Sequence, residues 1–280
     1  MMKGKCDMKT TKIHSKNAAY QKLEVLSSNR NKRYKYYEFL VEGVRNINEA
    51  IKNGWEIVSL IYAPALPMSD WAKGVIKSTR VTEGNIELDA PLMQDLSDKE
   101  DTSELMAVVM MRPDDPVQIR FKGTPLLALF DRPSNKGNLG TIIRTLDALG
   151  ADGLILTGHG VDLYDREVVG ASMGSFFNVP VIRMPRHDDL AKFIADVSEK
   201  YGALQVVGTT AHAETQLREL DLTVPTMFMI GCETDGLSDG LRPFCTTMAT
   251  IPMAATSSAS SFNVACAATV MMYEAVRQRG

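Results

Sequence analysis

From residue 125 onward, short uninterrupted apolar runs alternate with segments long enough to form helices. The runs are "PLLALFD", "DGLILTG", "VPVIRM", "LQVVGTTA", "TMFMIG" and "MATIPM". A strand that is apolar on both faces must be covered on both, and intervening helices supply crossovers that leave neighbouring strands parallel. The pattern predicts an α/β fold built on a parallel sheet. In such sheets ligands bind beyond the carboxyl ends of the strands, so the chemistry is expected in the loops that follow them.

The first 112 residues read differently. Leu40, Val44, Ile47 and Ile51 recur at helical spacing and Gly54 supplies a stop, while "IVSLIYA" and "ELMAVVMM" read as strands. The proline-punctuated "RPDDPVQIRFKGTP" reads as a linker. The expected organisation is a mobile basic tail over 1–16, a domain over 17–112, a linker over 113–124 and a second domain over 125–280. A hydrophobic content of 45% in 280 residues is enough for two buried cores.

Charge is uneven along the chain. The net charge is −3, yet residues 1–35 carry ten Lys or Arg against Asp7 and Glu24, ending in "NRNKRYKYYEF". Cations interleaved with aromatics suit phosphate contacts, which nominates Arg30, Lys32, Arg33 and Lys35 as a phosphate-contacting set, with a solvated face as the bland alternative. Cys6, Cys232, Cys245 and Cys266 form no C-x-x-C pair and sit far from any His at ligand spacing, so neither a metal site nor a disulfide framework is expected. No run approaches the roughly 18 apolar residues of a membrane span and the N-terminus lacks a signal-peptide core. A cytoplasmic protein is expected.

Three loops stand out. In "DRPSNKGNLGTIIRT" Asn138 can cap a helix that packs through Ile142, Ile143, Leu146 and Leu149, but Arg144 interrupts the apolar run. "MFMIGCETDGLS" places Glu233 directly after a buried strand. "IPMAATSSASSFNVACAATVMMYE" leads through small residues to Ser261 and Asn263 at a helix start. Each has an ordinary reading as a capped helix. No G-x-G-x-x-G follows any strand, because Leu163 stands where "GHGVDL" would need its third glycine, so a nicotinamide or flavin site is poorly supported.

In order, the three segments resemble the signature motifs of the SpoU (TrmH) group of SPOUT-class RNA methyltransferases, over most of residues 125–280. The matching positions are Asn138 and Arg144 in "NLGTIIRT", Gly231, Glu233, Gly236 and Leu237 in "GCETDGLS", and Ser261 and Asn263 in "SFNVACA". Phe262 stands where leucine is more usual, and Cys232 where asparagine or serine is frequent. "FLVEGVRNINEAIKNG" is similar to the ribosomal-protein-like RNA-recognition domain that many members carry.

The resemblance implies a sheet whose C-terminal segment forms a deep trefoil knot, a topology that chain physics alone disfavours. It implies S-adenosylmethionine held by Thr209, Ala211, Gly231, Ile251 and Phe262, and a catalytic set of Asn138, Arg144, Glu233, Ser261 and Asn263. The acceptor would be a ribose 2'-hydroxyl of ribosomal or transfer RNA, with ribosomal RNA favoured, and the enzyme a homodimer that needs no metal. A guanidinium is a donor and a poor proton acceptor, so the expected role of Arg144 is to bind phosphate and stabilise the developing alkoxide, with base catalysis as the alternative. Glu233 would orient Arg144 or Asn138. The rival is an RNA-binding protein of the same fold without turnover.

Overall fold

The computed structural model describes residues 9–211 and 213–280. Backbone contacts divide the chain into two compact units, the first formed by Met1–Arg112 with Tyr164–Phe177 and the second by Pro113–Leu163 with Asn178–Gly280.

The first unit contains, in chain order, β1 (Thr10–Ile13), α1 (Ala18–Ser28), α2 (Arg30–Tyr36), β2 (Glu38–Glu42), α3 (Val44–Lys52), β3 (Ile57–Tyr62), α4 (Asp70–Ser78), β4 (Asn85–Leu88), α5 (Ala90–Leu96) and β5 (Met106–Met110). Its sheet runs β1-β4-β3-β5-β2, with β5 antiparallel to both neighbours and the other pairs parallel. Asn17, Asn29 and Ser69 cap α1, α2 and α4 with side-chain oxygens that accept backbone N–H groups.

Two expectations change here. Thr10–Ile13, within the expected mobile tail, pairs with β4 as an edge strand; residues 1–8 of that tail, and Cys6, lie outside the described residues. Leu40 belongs to β2 rather than to a helix, because Phe39, Leu40 and Val41 are all buried and Gly43, at φ 98°, turns the chain before α3 begins. Gly54 follows α3 at φ 66°, as a helix stop requires.

The second unit begins with β6 (Leu126–Asp131), α6 (Lys136–Ala148) and β7 (Gly153–Thr157), and resumes after an excursion. The excursion is Tyr164–Phe177, which contains α7 (Arg166–Ala171) and packs in the first unit. Phe39, Trp55, Tyr164, Phe176 and Phe177 form one aromatic cluster there, and the Trp55 indole N–H donates to Phe177 O at 2.9 Å. The expected domain over 125–280 therefore lends these residues to the other unit.

The remaining elements are β8 (Val181–Arg183), α8 (His187–Tyr201), β9 (Gln205–Thr209), β10 (Thr215–Gln216), β11 (Thr226–Ile230), β12 (Thr247–Thr250) and α9 (Val264–Arg279). The sheet runs β10-β12-β9-β11-β6-β7-β8 and every pair is parallel, as the apolar runs require. Leu127, Leu129, Met227, Met229 and Val206 pack in one core with Leu190, Phe193 and Val197 of α8, while α9, with Ala268, Met271 and Met272 buried, lies against α6, where the Thr145 and Thr269 hydroxyls are 2.9 Å apart. Because β12, β9, β11 and β6 are neighbours, their carboxyl ends bring four loops together.

Candidate active site

The loop after β6 ends at Asn135, whose side chain accepts the Asn138 N–H at 2.9 Å and caps α6. The cap is thus three residues earlier than expected. Asn138 lies in the first helical turn with its amide free for other work, while Leu139, Ile142, Ile143 and Leu146 fill the core.

The loop after β11 is a tight reversal. Cys232 N donates to Gly236 O and Gly236 N to Cys232 O, each at 3.1 Å, and Gly236 takes φ 67°. Gly231 lies so close to the returning strand that an added Cβ would stand 2.1 Å from Gly236 C and Leu237 N. The reversal projects Glu233, which accepts from Asn138 Nδ2 at 3.0 Å, from the Ser134 amide at 3.2 Å and from the Ser134 hydroxyl. Partial burial pushes the Glu233 carboxyl up, but the hydrogen bonds from Ser134 and Asn138 outweigh it and hold it below the ordinary glutamate value, so it is ionised at neutral pH.

Asn263 closes the cluster. Its side-chain oxygen caps α9, accepting from Ala265 N at 2.9 Å, while its Nδ2 donates to Asn138 Oδ1 at 3.2 Å. The capping reading of this residue holds, and its amide is shared with the first turn of α6. Glu233, Asn138 and Asn263 form a chain that joins all three loops.

Beside this chain lies a cavity of about 530 Å³ between the loops after β9, β11 and β12. That is within the roughly 300–1,000 Å³ typical of small-molecule sites. Thr209, Ala211, Gly231, Ile251 and Phe262 line it, as do Glu233, Ser261 and Asn263. Leu217, Met253 and Met271 give it an apolar side, and Glu233 with Asp235 give it an anionic one.

Arg144 is not brought to this cavity within the chain. It stands six residues beyond Asn138, about 9 Å along the axis and on another face, since α6 rises about 1.5 Å per residue. It is exposed and, among the described residues, makes no hydrogen bond or ion pair. Glu233 therefore orients Asn138 and not Arg144. Sequence reasoning passed over Ser134 and Asn135, although "PSN" before a helix is a turn-and-cap string that could have marked them.

The N-terminal cationic set divides. Lys35 is exposed and Arg30 and Lys32 are half-buried, all on α2. Arg33 is only 2% exposed: its guanidinium donates to Leu26 O at 3.0 Å and Ser27 O at 2.9 Å and pairs with Asp165 at 3.4 Å. It joins α1, α2 and the excursion instead of meeting RNA, because a buried guanidinium must be spent on internal acceptors. Arg33→Ala is expected to destabilise the fold by about 2–4 kcal/mol in thermal or denaturant unfolding, by orphaning those acceptors.

A family model described as the SpoU rRNA Methylase family matches residues 125–273, and one described as the SpoU L30e-like domain matches residues 17–107. The 23S rRNA (uridine(2479)-2'-O)-methyltransferase of Streptomyces viridochromogenes is 41% identical over 96% of this chain and 92% of its own length. The crystal structure of the SpoU methyltransferase AviRb from Streptomyces viridochromogenes in complex with AdoMet superposes with a TM-score of 0.88 at 42% identity, covering 94% of this chain and 98% of that one. An AdoMet-bound rRNA methyltransferase from Sinorhizobium meliloti gives a TM-score of 0.80 at 27% identity, covering 96% and 98%.

Proposed function

The chain belongs to the SpoU rRNA methylase family, and from that premise we infer that it transfers the methyl group of S-adenosylmethionine to a ribose 2'-hydroxyl of ribosomal RNA. The observation that carries this reading is the Glu233–Asn138–Asn263 chain, whose two ends, Glu233 and Asn263, line a cavity of suitable size and chemistry. Apolar walls suit an adenine, the Thr209 and Ala211 loop offers backbone groups, and Glu233 and Asp235 suit a cationic ligand.

When bound, S-adenosylmethionine supplies an electrophilic methyl group. Thr209, Ala211, Gly231, Ile251 and Phe262 would hold it. Ionised Glu233 fixes the Asn138 amide so that its oxygen faces Asn263, and this locked pair, with Ser261, would position the ribose. Arg144 lies outside the cavity and carries no internal partner, which suits it to an RNA phosphate beside the target ribose and to the charge left when the hydroxyl loses its proton.

The first unit would recognise RNA, with Arg30, Lys32 and Lys35 as phosphate contacts. K32E and K35E are expected to weaken RNA binding and flatten its salt dependence by about one counterion each, without the loss of stability expected of Arg33→Ala. The enzyme would act in the cytoplasm on ribosomal RNA as a homodimer. The dimer is supported by Val270 and Tyr273, 39% and 57% exposed on α9, the helix that packs on α6. Sedimentation would then read twice the 30.8 kDa chain. The return of α9 from beyond β12 onto α6 supports the C-terminal trefoil knot.

Transfer of labelled methyl groups to ribosomal RNA, followed by mapping of the modified ribose, tests the reading. Cofactor and RNA binding without transfer would instead favour the silent RNA-binding protein.

A further inference from the structure

Asp131 and Arg132 sit at the carboxyl end of β6, just before the loop that carries Ser134 and Asn135, and the family motifs leave both without a role. Asp131 is 2% exposed, yet its carboxylate is fully engaged. It accepts the Thr157 hydroxyl at 3.1 Å, the Ser238 amide at 3.0 Å and Arg132 Nε at 3.1 Å. Arg132 in turn extends across to the reversal after β11. One terminal nitrogen donates to Gly236 O at 3.0 Å and the other lies 3.8 Å from the Asp235 carboxylate.

The backbone is shaped for this reach. Arg132 takes φ 48°, a left-handed conformation that a side chain with a Cβ adopts only when its surroundings hold it there. Its stem passes so close to Gly158 that a Cβ on that residue would stand 2.5 Å from Arg132 Cγ. Gly231 to Leu237 all line the cavity, and Arg132 is the cation that grips the far limb of that reversal. Glu233, on the near limb, has its own anchors in Ser134 and Asn138.

We propose that Arg132, oriented by Asp131, is a positioning residue that clamps the Gly236 limb of the cofactor loop and so sets the affinity for S-adenosylmethionine independently of the Glu233–Asn138–Asn263 chain. The guanidinium does two jobs that one ammonium cannot. It bonds its neighbour's carboxylate through Nε while a terminal nitrogen donates to the Gly236 carbonyl.

The inference rests on the methyltransferase reading, and the test separates the two. Binding of S-adenosylhomocysteine to the full chain is measured by titration calorimetry, without RNA, for the natural protein, Arg132→Ala and Arg132→Lys. Arg132→Ala is expected to bind about 10-fold to 100-fold more weakly and Arg132→Lys to fall between, the loss expected for a charge-assisted hydrogen bond. In methyl-transfer kinetics the KM for S-adenosylmethionine should rise in step, with kcat at saturation kept within about threefold. A folded Arg132→Ala that binds as well as the natural protein, or one whose kcat falls as far as its affinity, overturns the clamp. If alanine prevents folding, Arg132→Lys alone decides by the same two readings. A natural protein that does not bind S-adenosylhomocysteine overturns the methyltransferase reading instead.

Discussion

Arg144→Ala is expected to lower methyl transfer by about 100-fold to 1,000-fold while leaving the affinity for S-adenosylhomocysteine within about twofold of the natural protein. The side chain is exposed and engages nothing within the chain, so its removal should leave folding intact. It also lies outside the cavity, so cofactor binding should not register its loss. Any fall in turnover then reports on RNA and on the charge that develops there. Arg144→Lys sharpens the test: a planar fork matches phosphate through two parallel hydrogen bonds and an ammonium does not, so lysine should recover only a small part of the activity. Unchanged turnover in the alanine variant would remove Arg144 from the mechanism.

Gly231→Ala should have the larger effect on binding. The added methyl would stand 2.1 Å from two backbone atoms, Gly236 C and Leu237 N, so no rotamer change can accommodate it. The limbs of the reversal would have to part, breaking the paired Cys232–Gly236 hydrogen bonds that set its width. Overpacking of this kind costs about 1–3 kcal/mol of stability, and because the displaced atoms are the cavity wall, cofactor affinity should fall by more than about 100-fold. Thermal melts with and without S-adenosylhomocysteine read both quantities. Near-natural ligand stabilisation in this variant would show that the wall is not set by the close approach at Gly231.

The second unit was legible because its physics is local. Strands buried on both faces must be apolar throughout, so β6, β7 and β11 announce themselves, and parallel pairing fixes which of their ends carries the site. The first unit hides its edges. Thr10–Ile13 is polar and exposed except for Ile13, and only its partner β4 makes it a strand. Arg33 looks like its neighbours in sequence, and nothing short of the fold reveals that Leu26, Ser27 and Asp165 surround it. The motifs supplied Asn138, Glu233 and Asn263 as separate positions. Their joining into one chain depends on strand order, and the left-handed turn at Arg132 that sends a cation across to Gly236 has no signature in "FDRPSN" at all.

The excursion Tyr164–Phe177 has a further consequence. The backbone passes between the two units three times, after Arg112, after Leu163 and after Phe177. After a single cut in the linker over 113–124, the C-terminal fragment would still carry Tyr164–Phe177, whose packing against Phe39 and Trp55 becomes the non-covalent tie to the N-terminal fragment. Truncation to residues 125–280 would strip Tyr164, Phe176 and Phe177 of Phe39 and Trp55 and turn a buried aromatic cluster into an adhesive surface. Exchange of the recognition unit between relatives must respect the same stitching. A graft succeeds as two segments cut together, or it carries a torn seam.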